Sequence, residues 1–356
     1  MPAESGPVAA PAGTAPLRIA IAGAGAISQY HLAGWNEAAG VELVAICDPI
    51  EDKAQRRARE FGIPATYTDF AAMLEAEQPD AVDIITPVGT HAPLTRLAAD
   101  AGVHVCCQKP LCATVAEARA LIDCVGERVR FMVHENYRYR PHYALMRQWV
   151  EQGRIGEVRH ARMTVRSASC FTGDGTEPFL LKRQPYLRTF PRLLLFEVLI
   201  HQLDAMRVIL GPLEVTAARI SQVNPELAGE DVAVVTLAGA RGMTAVLDGN
   251  ISAPGYPPLP VDRFELMGSR NTMIYDRDRL YLEGSSELPV LFDLAKNYQV
   301  CFSAAVRDFV HGLATGAPFG TDRLDNLRTL ELMEACYVAA GVAIPAWTPG
   351  PAEAVT

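Results

Sequence analysis

A lysine stands at residue 109, in the stretch CCQKPLC (106–112), directly after an apolar run with the pattern of an interior strand. Only four of the chain's 32 basic residues are lysine: Lys53, Lys109, Lys182 and Lys296. An ammonium group kept at the end of a buried strand can hold a hydroxyl and stabilise alkoxide charge as it develops. A second group of chemical interest is Glu197, His201 and Asp204, within RLLLFEVLIHQLDAMRVILG. At i, i+4 and i+7 the three would share one face of a helix. Most of their neighbours are leucine, isoleucine, valine and phenylalanine, so the face should be at least partly buried. A histidine with a carboxylate one turn away suits general acid/base work, the carboxylate fixing tautomer and orientation. The same residues also fit an internal polar cluster that fastens the helix, or a pair of metal ligands. With no other ligand cluster in the sequence, no metal is expected.

A third group is IAIAGAGAIS, which sets Gly23 and Gly25 between a strand and a helix beginning near Ala26. Gly23 permits a tight turn. Gly25 lets the backbone approach a pyrophosphate, which would sit on the helix N-terminus near Ala26 and Ile27. Ser28 replaces the third glycine of the fingerprint and is small enough to pack near a sheet. Asp48, roughly twenty residues further on at the end of the second strand, is placed for the adenosine ribose hydroxyls. Its carboxylate would repel a 2′-phosphate, so NAD is expected over NADP. Arg56 and Arg57 on the following helix temper that preference.

Positioning these groups requires a particular frame. LRIAIAG, VELVAICD, AVDIITP, GVHVCCQKP and VRFMVHEN are short apolar strands, separated by helical stretches such as KAQRRAREFG, APLTRLAADAG and TVAEARALIDCVG. Such alternation predicts a Rossmann-type α/β domain, a doubly wound parallel sheet with both faces covered, over residues 17–137. After one more helix, HYALMRQWVEQG, the pattern changes. VRHARMTVRSA, EVTAARISQV, VAVVTLAG, TAVLDGNIS, RFELMGS and NTMIYD are strand-like, several with period-two alternation. They predict an α+β C-terminal domain with a large, mainly antiparallel open sheet over 138–345. Residues 1–16, rich in Pro, Ala and Gly, read as a disordered tail, and 346–356 as a C-terminal tail.

At 356 residues the chain has room for two domains. Its net charge of −9 argues against a nucleic-acid surface. No apolar run is long enough to span a bilayer, and the N-terminal segment lacks the features of a secretory signal. Eight scattered cysteines without metal-ligand spacing fit a reduced, cytoplasmic protein.

In order and spacing, GAGAIS, ITPVGTHAP, QKPLC and FEVLIHQLD resemble the Gfo/Idh/MocA family of NAD(P)-dependent sugar and polyol oxidoreductases, over residues 17 to about 340. The resemblance implies that Lys109 sits beside the nicotinamide and contacts the reacting hydroxyl. It implies that Thr86, Pro87 and His91 lie in a loop under the dinucleotide. It further implies that Gln108 and Asn136 line the cofactor site, and that Arg138 touches nicotinamide or substrate. Two departures stand out. Gln108 takes the place of a glutamate whose charge would favour the ammonium form of Lys109. PRLLLFE replaces a glycine-rich stretch, putting Arg192 where glycine is common and Glu197 where aspartate is more frequent. The preceding loop carries Lys182, Arg183, Arg188 and Arg192, which could attract an acidic substrate group, and Tyr186, which could stack on a sugar face.

The expected activity is therefore oxidation of a monosaccharide hydroxyl, an aldopentose favoured, or of a cyclic polyol. His201 would act as base, Lys109 would hold the hydroxyl and Glu197 would orient His201. The substrate site would comprise Lys109, Arg138, Tyr186, Arg192, Glu197 and His201. A homodimer or homotetramer formed through the C-terminal sheet is also expected. Rival readings are an NAD-dependent glycosidase of the same superfamily, a dihydrodiol dehydrogenase, and a sugar-sensing regulator without turnover.

Overall fold

The computed structural model describes residues 15–344, so the two expected tails lie almost wholly outside the described residues. The described residues divide into two compact units, one of residues 15–139 and 298–327 and the other of residues 140–297 and 328–344.

The first unit runs β1 (Leu17–Ala22), α1 (Ser28–Glu37), β2 (Val41–Cys47), α2 (Glu51–Phe61), β3 (Ala65–Tyr67), α3 (Phe70–Glu77), β4 (Ala81–Ile84), α4 (His91–Asp100), β5 (His104–Gln108), α5 (Val115–Val125) and β6 (Phe131–His134). The six strands are ordered β3-β2-β1-β4-β5-β6, and every pairing is parallel. Strand order reverses between β1 and β4, and the crevice beyond the carboxyl ends of those strands is where such sheets bind ligands. The sequence pattern missed β3, which is only three residues long, and α3 behind it.

The second unit begins with α6 (Pro141–Glu151) and β7 (Val158–Arg166). An irregular loop follows, carrying the five-residue α7 (Phe179–Arg183), and leads to α8 (Ile200–Leu210). Then come β8 (Glu214–Ser221), β9 (Val232–Ala238), β10 (Thr244–Asn250), β11 (Val261–Gly268), β12 (Thr272–Asp276), β13 (Arg279–Leu282) and β14 (Val290–Leu291). These strands form one open sheet, β14-β13-β12-β11-β7-β10-β9-β8, antiparallel except where β7 meets β10. Alternate residues point to one covered face: Ala161, Met163 and Val165 on β7, Ala233, Val235 and Leu237 on β9, and Phe264 and Leu266 on β11 are all buried. On β10 that face includes Gly249, where an added Cβ would come within 2.7 Å of Leu199 Cδ1 at the start of α8.

Two long helices, α9 (Leu294–Thr315) and α10 (Arg323–Ala339), close the described chain. Residues 298–327, most of α9 and the start of α10, belong to the first unit, whereas the expected boundary gave all of 138–345 to the second domain. Ala305, Val306 and Phe309 of α9 fill the core formed by Ile19, Ile21, Ile46, Leu32 and Trp35. The Val133 N–H donates to Thr321 O at 2.9 Å, and the Gln299 amide to Tyr30 O at 3.0 Å. The parallel sheet alone leaves apolar surface that a helix from much later in the chain covers.

The core of the first unit also holds a histidine that makes folding sensitive to acid. His134 on β6 is fully buried, and neither ring nitrogen has a hydrogen-bond partner. Burial, aided by the neighbouring His31 ring 4.0 Å away, pushes its pKa down to about 3. The unfolded chain therefore binds a proton that the folded chain rejects between about pH 6.5 and 3. Stability should fall as pH drops through that window, by roughly 2–3 kcal/mol from this group two units below its ordinary value. Urea unfolding of His134→Phe is expected to show a shallower acid limb than the unsubstituted protein.

Candidate active site

In the first unit the predicted cofactor residues gather at the carboxyl edge of the parallel sheet. Gly23 has φ +103, and a Cβ there would lie 2.4 Å from Ile85 O, so only glycine lets β1 turn this close to the end of β4. Gly25 has nothing within 4 Å of an added Cβ, which leaves its outer side open to a ligand backbone. Beyond Ala26 and Ile27, α1 starts with no side-chain cap and no acidic residue in its first turn. Its N-terminal dipole is therefore available to a diphosphate. Ser28 does more than fit a small space. Its hydroxyl donates to Gly25 O at 2.7 Å and accepts from Arg57 Nε at 3.1 Å, fixing the turn.

Asp48 is buried at the end of β2. Its Oδ2 accepts the Ala24 N–H at 2.8 Å and its Oδ1 the Ile50 N–H at 2.9 Å. A carboxylate has about four lone-pair sites, so two further hydroxyl donors can be accepted. Arg57, expected to weaken the preference for NAD, is buried and turned inward to Ser28, with Glu60 pairing it at 2.6 Å. Arg56, by contrast, is exposed. These features fit a dinucleotide with a free 2′-hydroxyl.

The loop after β4 is laced to the segment after β5. His91 is buried, with Nε2 at 2.9 Å from Thr86 O and Nδ1 at 2.8 Å from Pro110 O. Its ring joins the two loops. The Thr90 hydroxyl bonds to Thr86 Oγ1 at 2.6 Å and to Pro87 O at 2.7 Å, which stiffens the same loop. Lys109 follows β5 and is half-buried, and its peptide bond to Pro110 is cis. The Gln108 side chain is turned towards His31 and the Lys109 N–H, so residue 108 acts on the lysine's main chain. This differs from the expected coupling to the lysine's charge.

Two residues of the crossover are committed within the first unit. The Asn136 amide donates to Cys301 Sγ at 3.1 Å. Arg138 pairs with Asp325 at 2.6 Å, donates to Gly320 O, and keeps only 8% of its side chain exposed. Its guanidinium ties the crossover to the segment that joins α9 and α10.

In the second unit, the expected single helix from Arg192 to Leu210 is two structures. Leu194–Leu199 is a π-helical turn, and α8 continues from Ile200 to end at Gly211, φ +85. The start of this turn is capped from a distant loop. Buried Glu230 accepts the Leu193 and Leu195 N–H groups at 3.3 and 3.0 Å and the Tyr337 hydroxyl at 2.7 Å. A Cβ on the preceding Gly229 would lie 2.6 Å from Phe190 O, so glycine is needed for that approach. Burial pushes the Glu230 carboxyl up against the pull of these donors.

Glu197 lies in the π turn and is half-buried; His201 opens α8 and is 8% exposed. Asp204 accepts the Thr329 hydroxyl at 2.7 Å, tying α8 to α10. Asp262 is the acid that pattern reading overlooked. It receives the Tyr143 hydroxyl and, at 3.4 Å, the amide of Gln202 beside His201. Burial raises its carboxyl above the usual range, while Arg140, Tyr143, Gln202 and His201 pull the other way.

The basic loop is less available than expected. Arg188 pairs with Glu226 at 2.8 Å and Glu177 at 3.5 Å. Arg192 is fully buried, its guanidinium 4.2 Å from the Phe196 ring centroid. Burial lowers its pKa, opposed by Tyr337, Glu334, Glu230 and Glu197. It packs inside the unit, contrary to a role in drawing substrate from solvent. Lys182, Arg183 and Tyr186 remain exposed. No group of three or more metal-ligating side chains occurs among the described residues.

Comparison with known proteins places this geometry. Residues 17–136 match the model described as "Oxidoreductase family, NAD-binding Rossmann fold", and residues 143–274 match the "GFO/IDH/MocA C-terminal domain". A D-apiose dehydrogenase from Paraburkholderia graminis is 35% identical over 335 residues, which are 90% of this chain and 87% of that protein. A second D-apiose dehydrogenase, from Rhizobium rhizogenes, is 32% identical over 91% of this chain and 95% of that one. Among solved structures, an oxidoreductase from Agrobacterium radiobacter in complex with NAD+, L-tartaric acid and magnesium superposes with a TM-score of 0.83 at 30% identity. That match covers 91% of this chain and 96% of the other.

Proposed function

This chain belongs to the Gfo/Idh/MocA family of NAD-binding oxidoreductases, and from that premise we propose that it is an NAD-dependent dehydrogenase of a monosaccharide hydroxyl, an aldopentose such as D-apiose before a cyclic polyol. The observation that carries the reading is Lys109, held by its main chain at the carboxyl edge of β5, on the same sheet edge as the Gly23–Gly25 turn and Asp48. Bound NAD supplies the hydride acceptor. The open side of Gly25 and the uncapped start of α1 hold its diphosphate, and Asp48 takes the adenosine ribose hydroxyls.

For the reaction itself, the Lys109 ammonium donates to the reacting hydroxyl and stabilises alkoxide character on that oxygen. His201 removes the hydroxyl proton, and Glu197, one turn earlier, keeps the imidazole in a receptive orientation. Asp262 and Tyr143 support the floor beside His201. Exposed Tyr186 offers a ring face to the sugar. We read the protein as cytoplasmic, in keeping with its eight free cysteines, and no described helix is long and apolar enough to cross a membrane. The uncovered face of the eight-stranded sheet, where Val234 is 41% exposed, suits pairing into a homodimer or homotetramer.

A screen of purified protein with NAD against aldoses, inositols, sugar acids and diols tests the activity. NADH is expected to accumulate fastest with an aldopentose. No NADH with any of these classes would overturn the reading.

A further inference from the structure

Asp83 on β4 is wholly buried, and its Oδ2 accepts from His31 Nδ1 at 2.8 Å and Trp35 Nε1 at 2.7 Å. The other ring nitrogen, His31 Nε2, lies 2.8 Å from Gln108 Nε2, and Gln108 Oε1 accepts the Lys109 N–H at 2.7 Å. The last bond sets the amide, because a flipped Gln108 would turn its NH2 against the Lys109 N–H, donor against donor. The Gln108 Nε2 therefore donates, and His31 Nε2 accepts. The ring's one proton is on Nδ1, directed at Asp83.

We propose that Asp83, His31 and Gln108 are positioning residues, a buried hydrogen-bonded chain that holds the Lys109 main chain and so sets where its ammonium stands. The functional consequence rests on the reading of Lys109 given above; the chain itself rests on geometry alone. Charge faces His31 from Asp83 on β4, while Gln108 on β5 is an amide. His134 on β6 is kept neutral chiefly by burial, its pKa near 3. Trp35 on α1 and Phe302 on α9, 5.2 Å from the ring, are aromatic.

The amide at 108 is thus matched to a singly protonated His31. A carboxylate there could still accept the Lys109 N–H with one oxygen, but the other would confront the His31 Nε2 lone pair. Relief requires a second proton on the ring, which would then lie between two carboxylates.

Nitrogen NMR of histidine-labelled protein near neutral pH reads this directly. The unsubstituted protein is expected to show His31 protonated at Nδ1 and bare at Nε2, and Gln108→Glu to show both nitrogens protonated. The opposite tautomer, an imidazolium in the unsubstituted protein, or an unmoved His31 in Gln108→Glu would each overturn the chain. Hydrogen exchange tests the positioning. In His31→Phe the Lys109 amide should exchange roughly tenfold faster, while those of Val105 and Cys106 hold. His31→Gln, which keeps an acceptor for Gln108, should restore protection at Lys109 to within about threefold. Unchanged Lys109 exchange in His31→Phe would contradict the role; should that variant not fold, the Gln108→Glu spectrum still decides. None of these readouts needs turnover, so their failure leaves the dehydrogenase reading intact, and absence of NADH formation leaves the chain intact.

Discussion

Alanine at His201 is expected to lower turnover by roughly 10²–10⁴-fold, the usual cost of removing a general base, with NAD affinity nearly intact. The residual rate should climb as pH rises, because hydroxide or the free alkoxide then does the work of the missing imidazole. Lys109→Ala should suffer a loss of similar size without that recovery, since it removes a positioned cation and no proton acceptor. Glu197→Gln should fall between the unsubstituted protein and His201→Ala, the histidine being present but less well held. Rate–pH profiles of the three variants, with NAD affinity titrated separately, make the comparison. Rescue by high pH in Lys109→Ala, and its absence in His201→Ala, would make the lysine the base. Full activity in either alanine variant would remove that residue from the chemistry.

The second large effect concerns Asp48. Its carboxylate has one oxygen on Ala24 N–H and the other on Ile50 N–H, and it retains lone pairs for two ribose hydroxyls. Hydrogen bonds to a charged acceptor are worth roughly 1.5–3 kcal/mol each. Asp48→Ala should therefore weaken NAD binding by about 10²-fold, or about 2.7 kcal/mol. The unsubstituted protein should bind NAD at least about tenfold tighter than NADP, because the same carboxylate repels a 2′-phosphate and Arg57 is turned away from that position. In Asp48→Ala the gap should narrow, with NADP weakened less than NAD. Titration of both cofactors by quenching of tryptophan fluorescence gives the four dissociation constants. Equal affinities in the unsubstituted protein, or equal losses in the variant, would contradict this role.

How much of this was legible in the sequence depended on how local each cause is. The turn at Gly23 and Gly25, the acid at Asp48 and the strand ending at Lys109 were readable because strand, turn and helix follow one another within a few residues. The antiparallel sheet was readable from period-two alternation on β7, β9, β10 and β11. Causes lying far along the chain were not. Glu230 sits 33 residues beyond Glu197 in sequence, yet its carboxylate accepts the Leu193 and Leu195 amides and caps the π turn. A helical period cannot announce an acceptor supplied by another loop. His31 lies 52 residues from Asp83 and 77 from Gln108, so its place between them left no local pattern. The sole hint was a histidine on the inner side of a helix beginning just after a glycine turn. The same limit hid α9, whose apolar face belongs to a core begun nearly three hundred residues earlier, and the pairing of Arg138 with Asp325.

The central claim is net oxidation of a sugar hydroxyl, and following its hydrogen tests it most directly. With an aldopentose deuterated at every carbon and excess NAD, each turnover should leave one deuterium on the nicotinamide ring and release the reduced cofactor, so that labelled NADH accumulates in step with oxidised sugar. Sugar consumed or glycoside cleaved without accumulation of reduced cofactor, the hydride having returned to the product, would contradict the account.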